Sequence, residues 1–197
     1  MRIFNYSIKN SLSSLYLSSN MLDSIKLDLS ETKLFSKLIC DFADNAKVLE
    51  SMHCGPIDLD SIQKIANKKK NNHRDVLCHV LKEQYDNTHF RFQNLSTVHE
   101  NISNLMSDNV YTITTGHQLN IFANPLFLIY KILSVISYTR FLNKNLNKIS
   151  FVPCFWMASE DHDFEEIRSF NIKDQMLKWN LKTQDAIGNI NTSSIYP

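Results

Sequence analysis

The sequence predicts an α/β fold, an open parallel sheet entered through a helical N-terminal region. Three observations predict it. Val110-Tyr111-Thr112-Ile113-Thr114 is β-branched and aromatic, the composition of a buried strand. Asn124-Pro125 opens a long helical pattern in which Leu126, Ile129, Tyr130, Leu133, Ile136 and Ser137 share one face, running to about Leu142. Ile149 to Met157 is again nearly all apolar, as a strand covered on both faces should be. Strand, crossover helix and strand in that order make the two strands parallel.

The preceding elements follow in chain order. Residues 1–30 are polar with scattered Leu and Ile, and hold at most a short edge strand at Arg2–Ile8. Ser30-Glu31-Thr32-Lys33 opens a helix whose Leu34, Phe35, Leu38, Ile39 and Phe42 recur at helical spacing. Gly55-Pro56 breaks the chain, and Ser61 to Asn67 reads as a short helix. Lys68-Lys69-Lys70-Asn71-Asn72 is basic and polar and reads as a solvated loop or helix end, with contact to a phosphate as the lesser alternative. Arg74 to Tyr85 reads as a helix with Val76, Leu77, Val80 and Leu81 inward. A further helix runs from about Phe92 to Met106, with Leu95, Val98, Ile102, Leu105 and Met106 on its apolar side. After Met157 the tail from Lys173 to Ile195 reads as short strands with a turn at Ile187-Gly188-Asn189. The change of texture near Asp108 sets the expected domains: residues 1–108, mainly helical, and 109–197, the first part of the sheet domain.

Composition bounds the function. The 197 residues are 43% hydrophobic and 21% charged, enough for a sizeable core. Lys+Arg 21 against Asp+Glu 20 leaves a net charge of +1, so no broad basic footprint invites nucleic acid. No apolar run reaches the roughly 18–20 residues of a membrane span. Met1 to Asn20 lacks the charged and apolar blocks of a signal peptide. Cys40, Cys54, Cys78 and Cys154 lie far apart without a CxxC spacing, which suits reduced thiols in a cytoplasmic protein rather than a zinc site.

Open α/β sheets bind ligands beyond the carboxyl ends of their strands, and two polar clusters stand there. The first is Thr114-Thr115-Gly116-His117-Gln118, with Asn120 and Asn124 following, read as a polar turn between strand and helix. Backbone N–H groups and the helix dipole there favour an anion. The bland alternative has Gly116 making a tight turn while His117 and Gln118 satisfy nearby backbone. The second is Ser159-Glu160-Asp161-His162-Asp163-Phe164-Glu165-Glu166, just after Phe155-Trp156-Met157. Its five carboxylates fall within seven residues and call for a compensating cation or protons. Asp163 and Glu166 have the spacing of a helix N-cap and its N3 partner, and Glu165 reads as solvated. That leaves Glu160, Asp161 and His162, whose mixture suits acid–base work. Trp156 is a candidate pocket wall or a core residue. Lys131, nearly two turns into the long helix, is far from assured of reaching the first cluster.

The same residues resemble a known family. Thr114-Thr115-Gly116-His117-Gln118-Leu119-Asn120, with Asn124-Pro125-Leu126 and Ile129-Tyr130-Lys131, is similar to the first signature of the BshC family, the cysteine-adding enzymes of bacillithiol biosynthesis. Val152-Pro153 with Phe155-Trp156-Met157-Ala158-Ser159-Glu160-Asp161-His162-Asp163-Phe164-Glu165-Glu166 is similar to the second, and Leu81-Lys82-Glu83-Gln84-Tyr85 also fits. The resemblance implies a Rossmann-like, nucleotidyltransferase-like core and a ligase that joins L-cysteine to glucosaminyl-malate through an amide. It implies ATP with Mg²⁺ to activate the carboxylate, a cytoplasmic location, small-molecule substrates, and no nucleic acid or membrane partner; a homodimer is compatible with it. His162, Glu160, Asp161 and His117 would be catalytic. Thr115, Gly116, Gln118, Asn120, Asn124, Ser159 and Trp156 would bind substrate or nucleotide, and no residue would hold a resident metal. Asn124 replaces the family's usual glycine. Family members are more than twice this length and carry a long coiled coil, so a truncated chain is expected. Two other readings follow: a nucleotide- or amino-acid-binding module that does not catalyse, and a metal-dependent hydrolase using His117 and His162.

Overall fold

The computed structural model describes residues 27–44, 46–70, 72–87, 95–121, 126–172 and 175–195. The edge strand expected at Arg2–Ile8 and the helix start at Asn124-Pro125 lie outside them. The described helices and strands run α1 (Leu29–Thr32), α2 (Lys37–Ala43), α3 (Leu59–Lys68), α4 (Arg74–Asp86), α5 (Leu95–Asn104), β1 (Val110–Gln118), α6 (Leu126–Asn145), β2 (Ser150–Ala158), α7 (Phe164–Ile167), β3 (Ser169–Ile172) and β4 (Gln175–Lys178). Strands β1 and β2 pair in parallel, with α6 as the crossover between them. Strands β3 and β4 form a separate antiparallel hairpin, Ser169 opposite Lys178 and Ile172 opposite Gln175.

The chain divides into two compact units, Met1–Thr112 with Ser137–Val152 and Ile113–Ile136 with Pro153–Pro197. In the first, Cys78, Ile102, Leu105, Val110 and Val152 make the core, with Leu81, Tyr85 and Val98 packed on it. Arg74 at the start of α4 donates to the carbonyls of Leu105 and Val110, both at 2.9 Å. It thereby satisfies an oxygen just past the end of α5 and one at the first residue of β1. The Asn143 amide pairs with Phe151 like a neighbouring strand, donating to its carbonyl at 2.8 Å and accepting from its N–H at 2.7 Å. In the second unit Phe164, Ile167, Trp179 and Ile187 are buried, with Leu119, Ile121, Leu181 and Ile190 against them.

Several expectations need correction. The helix expected from Ser30 to Phe42 is two short ones. The Thr32 hydroxyl donates to the Leu29 carbonyl and accepts from the Leu34 N–H, Lys33 turns left-handed at φ 55°, and Ser36 caps α2 by accepting from the Ile39 N–H. These side chains compete with the helix for backbone groups, so the run breaks. On α4 the residues turned inward are Cys78, Leu81 and Tyr85, whereas Val76, Leu77 and Val80 are exposed. Met106 is likewise exposed, beyond the end of α5. Helix α6 is, among the described residues, long and apolar enough to cross a membrane. A search for unbroken apolar runs passes over it, because Lys131, Ser134, Ser137 and Arg140 interrupt the pattern without lowering its average much.

Candidate functional site

All of the described candidate residues fall in the second unit. The first cluster is not a turn. Strand β1 continues through Thr115, Gly116 and His117 to Gln118. Gly116 is favoured there by a close approach rather than by backbone conformation: a Cβ on it would lie 3.2 Å from both Cβ and the carbonyl oxygen of Trp156, tighter than ordinary contact. The bare glycine lets the two strands run on together past the point where composition ends the strand. It also sets the two clusters side by side at the carboxyl ends of β1 and β2.

Beyond β1, Asn120 organises His117. Its amide nitrogen donates to the Gln118 carbonyl at 2.8 Å and lies 2.9 Å from His117 Nδ1. The amide has two protons for these two acceptors, and in the tautomer that accepts from it Nδ1 is the lone-pair side of the ring and Nε2 carries the proton. His117 Nδ1 also lies 3.2 Å from the Gln118 carbonyl, the partner it would take up if protonated. The ring stands T-shaped to that of Phe127, 6.3 Å between centroids. Asn124 lies outside the described residues.

Lys131 does reach this end of the sheet. Its ammonium donates to the Gly116 carbonyl at 3.0 Å and stands 4.7 Å over the Phe127 ring. Its long stem lets the charge lie well away from its own Cα, a reach that residue counting underestimates.

The second cluster follows β2 as a tight turn. The Ser159 N–H donates to the Met157 carbonyl at 2.7 Å and the Asp161 N–H to the Ala158 carbonyl at 3.3 Å. Trp156 is 61% exposed, so it is no core residue, and its indole N–H donates to Glu160 Oε1 at 3.3 Å. Asp161 accepts from the Asp163 N–H at 3.0 Å, so one of its oxygens shapes the loop. His162 is exposed and makes no side-chain hydrogen bond among the described residues. Asp163 does stand at the N-cap of α7, but its carboxylate makes no capping bond; the Glu166 N–H goes to the Asp163 carbonyl instead. Glu165 is paired with Arg168, at 2.7 Å, rather than simply solvated. No group of three His, Cys, Asp or Glu side chains suited to a metal ion comes together among the described residues, so His117 and His162 lack a converging third ligand there.

One support was invisible in the sequence. The tail turn at Ile187–Asn189 docks on the acidic turn: the Ile187 N–H donates to the Asp161 carbonyl at 2.7 Å and the Gly188 N–H to the Ser159 carbonyl at 2.9 Å. A glycine in an otherwise glycine-poor chain was the only signal for this contact.

A family model described as the N-terminal Rossmann-like domain of bacillithiol biosynthesis BshC matches residues 22–196. A relative from Flavobacterium psychrophilum is 40% identical over 166 residues, covering 82% of this chain and 30% of that protein. One from Flavobacterium johnsoniae is 41% identical over 165 residues, again 82% and 30%. One from Cytophaga hutchinsonii is 33% identical over 172 residues, covering 86% of this chain and 32% of that protein. All three bear the name "Putative cysteine ligase BshC". The chain thus spans about 30% of the length of these relatives.

Proposed function

The chain belongs to the BshC family of bacillithiol biosynthesis and has its Rossmann-like α/β fold, and from that premise we propose that its site serves a cysteine ligase, the enzyme that joins L-cysteine to glucosaminyl-malate through an amide. The observation that carries this reading is the contact of Gly116 with Trp156, which brings the His117 end of β1 beside the turn after β2. Amide formation needs an activated carboxylate, a nucleophilic amine and an acceptor for the amine's proton. In this reading Thr115, Gly116, Gln118 and Asn124 hold phosphate or carboxylate oxygens, Asn120 orients the His117 ring beside them, and His117 offers its Nε2–H to the same group. Ser159 and the exposed face of Trp156 line the opposite side. The amine attacks the acyl carbon, the leaving group departs with its bonding electrons, and His162 takes the proton. Glu160 and Asp161, on the same turn, would help to hold the substrate amine.

ATP with Mg²⁺ would supply the activation of the carboxylate. The donor chemistry at the end of β1 fits anionic oxygens. Mg²⁺ commonly binds through one or two carboxylates and the substrate's phosphates, so it needs no dedicated protein cage. The compartment consistent with this biosynthetic role is the cytoplasm.

The test combines L-cysteine, glucosaminyl-malate, ATP and Mg²⁺ with the purified protein and measures bacillithiol as its thiol derivative. Product is expected, and His162→Ala should lower turnover roughly 10²–10⁴-fold, the usual share of a general acid–base group. Full turnover in that variant would remove His162 from the reaction. A second reading is a module that binds nucleotide or amino acid without catalysing; in its favour, His162 is exposed and makes no side-chain hydrogen bond among the described residues. Binding of ATP or L-cysteine without product would support that reading.

A further inference from the structure

We propose that Lys131 is a substrate-binding residue of this site, holding an anionic oxygen of a bound substrate, carboxylate or phosphate, at the end of β1. The proposal rests on the reading of this end of the sheet as a substrate site. Lys131 lies in the second turn of α6, and helix side chains lean toward the N-terminus, here toward Phe127 one turn back. Its ammonium is held from two sides, by the Gly116 carbonyl at 3.0 Å and by the face of Phe127 at 4.7 Å. The His117 ring stands T-shaped to the same ring, so one aromatic side chain contacts both the cation and the imidazole.

The charge has no carboxylate partner among the described residues. Three acids of this unit are engaged in other ways: Glu160 with the Trp156 indole, Asp161 with the Asp163 N–H, and Glu165 with Arg168. An ammonium has three protons, and the Gly116 carbonyl takes one. Among the described residues, two donors and the positive charge are therefore left at a half-buried position, where an unpaired charge is costly and an incoming anion repays the cost. A lysine serving only as a strut for the Gly116 carbonyl would need a donor there but not a charge.

That difference defines the experiment. Lys131→Gln keeps a donor for the carbonyl and removes the charge; Lys131→Arg keeps the charge. Binding of ATP, glucosaminyl-malate, L-cysteine and inorganic phosphate to the whole chain is measured by titration calorimetry at low and high salt, with thermal unfolding run on each variant. Lys131→Gln should weaken at least one anionic probe by roughly ten- to a hundredfold, the range for a charge-assisted hydrogen bond. Lys131→Arg should recover most of the loss, and the wild-type affinity should fall with salt where that of Lys131→Gln does not. Weakening of ATP and phosphate assigns the anion to the nucleotide; weakening of glucosaminyl-malate or cysteine assigns it to a substrate carboxylate. Equal affinity of wild type and a folded Lys131→Gln for every probe overturns the proposal while leaving the ligase reading intact. Charge-dependent binding without any bacillithiol produced upholds it while the ligase reading fails.

Discussion

Adding a single methyl group at Gly188 should unfasten the tail from the acidic turn. A Cβ there would stand 2.7 Å from Ser159 Cβ and 2.8 Å from the Ser159 carbonyl oxygen. Comfortable carbon contacts begin near about 3.5 Å, so the two turns must separate by something approaching 1 Å. The obstructing atoms include backbone, with Ser159 Cα at 3.3 Å, so no side chain can simply swing aside. Such a shift strains or breaks the two bonds that join the turns, Gly188 N–H to Ser159 and Ile187 N–H to Asp161. Overpacking costs about 1–3 kcal/mol. Each lost hydrogen bond adds about 1 kcal/mol. Gly188→Ala should therefore destabilise the second unit by about 3 kcal/mol. The sign is informative, because Gly188 does not hold a positive φ. Without the clash, Ala would stabilise by about 0.4–1 kcal/mol through the unfolded chain. The assay is urea unfolding followed by the fluorescence of Trp179, which is buried beside Ile187. A lower midpoint for Gly188→Ala is expected, with partial recovery in Gly188→Ala/Ser159→Gly, since only the Cβ part of the clash is then relieved. An unchanged or raised midpoint would refute the docking of the tail.

Other expectations concern the first unit. Arg74→Met strips two charge-assisted donors from the Leu105 and Val110 carbonyls, and should lower stability by about 2 kcal/mol, seen as a lower urea midpoint by circular dichroism; no change would mean those carbonyls find water. Asp58 caps α3 by accepting from the Ser61 N–H at 2.7 Å, and this bond holds its carboxyl below the ordinary value. A lowered folded pKa gives stability that is present above the unfolded value near 3.9 and is lost as pH falls through the folded one. Asp58→Asn, which still caps, should flatten that acid-side loss in helicity, and an identical acid titration would contradict the assignment. Burial pushes the Cys78 thiol up, with Asp75 adding to the shift and Arg74 opposing it, whereas Cys54 is exposed. A disulfide reagent at pH 8 should modify Cys54 quickly and Cys78 slowly, and equal rates would place Cys78 outside the core.

The local elements were legible because their signals are local. The β-branched run of β1, the apolar run of β2 and the helical spacing of α6 each lie within one segment, and the parallel pairing follows from their order. The failures have physical causes. Thr32 and Ser36 look like ordinary helix residues until their hydroxyls are seen bonding to the backbone, which splits α1 from α2. On α4 an inward stripe chosen from Val76, Leu77 and Val80 lost to one centred on Cys78, since the neighbouring packing decides which face is buried. The candidate residues were visible as two polar clusters. Their closeness depends on Gly116 and Trp156 being opposite each other, a pairing between residues 40 apart in the chain. The docking of Gly188 on Ser159 is equally non-local, and no spacing rule encodes it.

The placement of the Asn120 amide decides how His117 can take part in any chemistry. In the tautomer whose Nδ1 accepts from that amide, the imidazole enters an encounter as a proton giver through Nε2, not as a proton taker. To act the other way it must let go of Asn120 and turn its protonated Nδ1 to the Gln118 carbonyl 3.2 Å away. One amide rotation thus separates two opposite reactivities of the same ring. An aspartate at position 120, able only to accept, would pin the ring in the reverse sense.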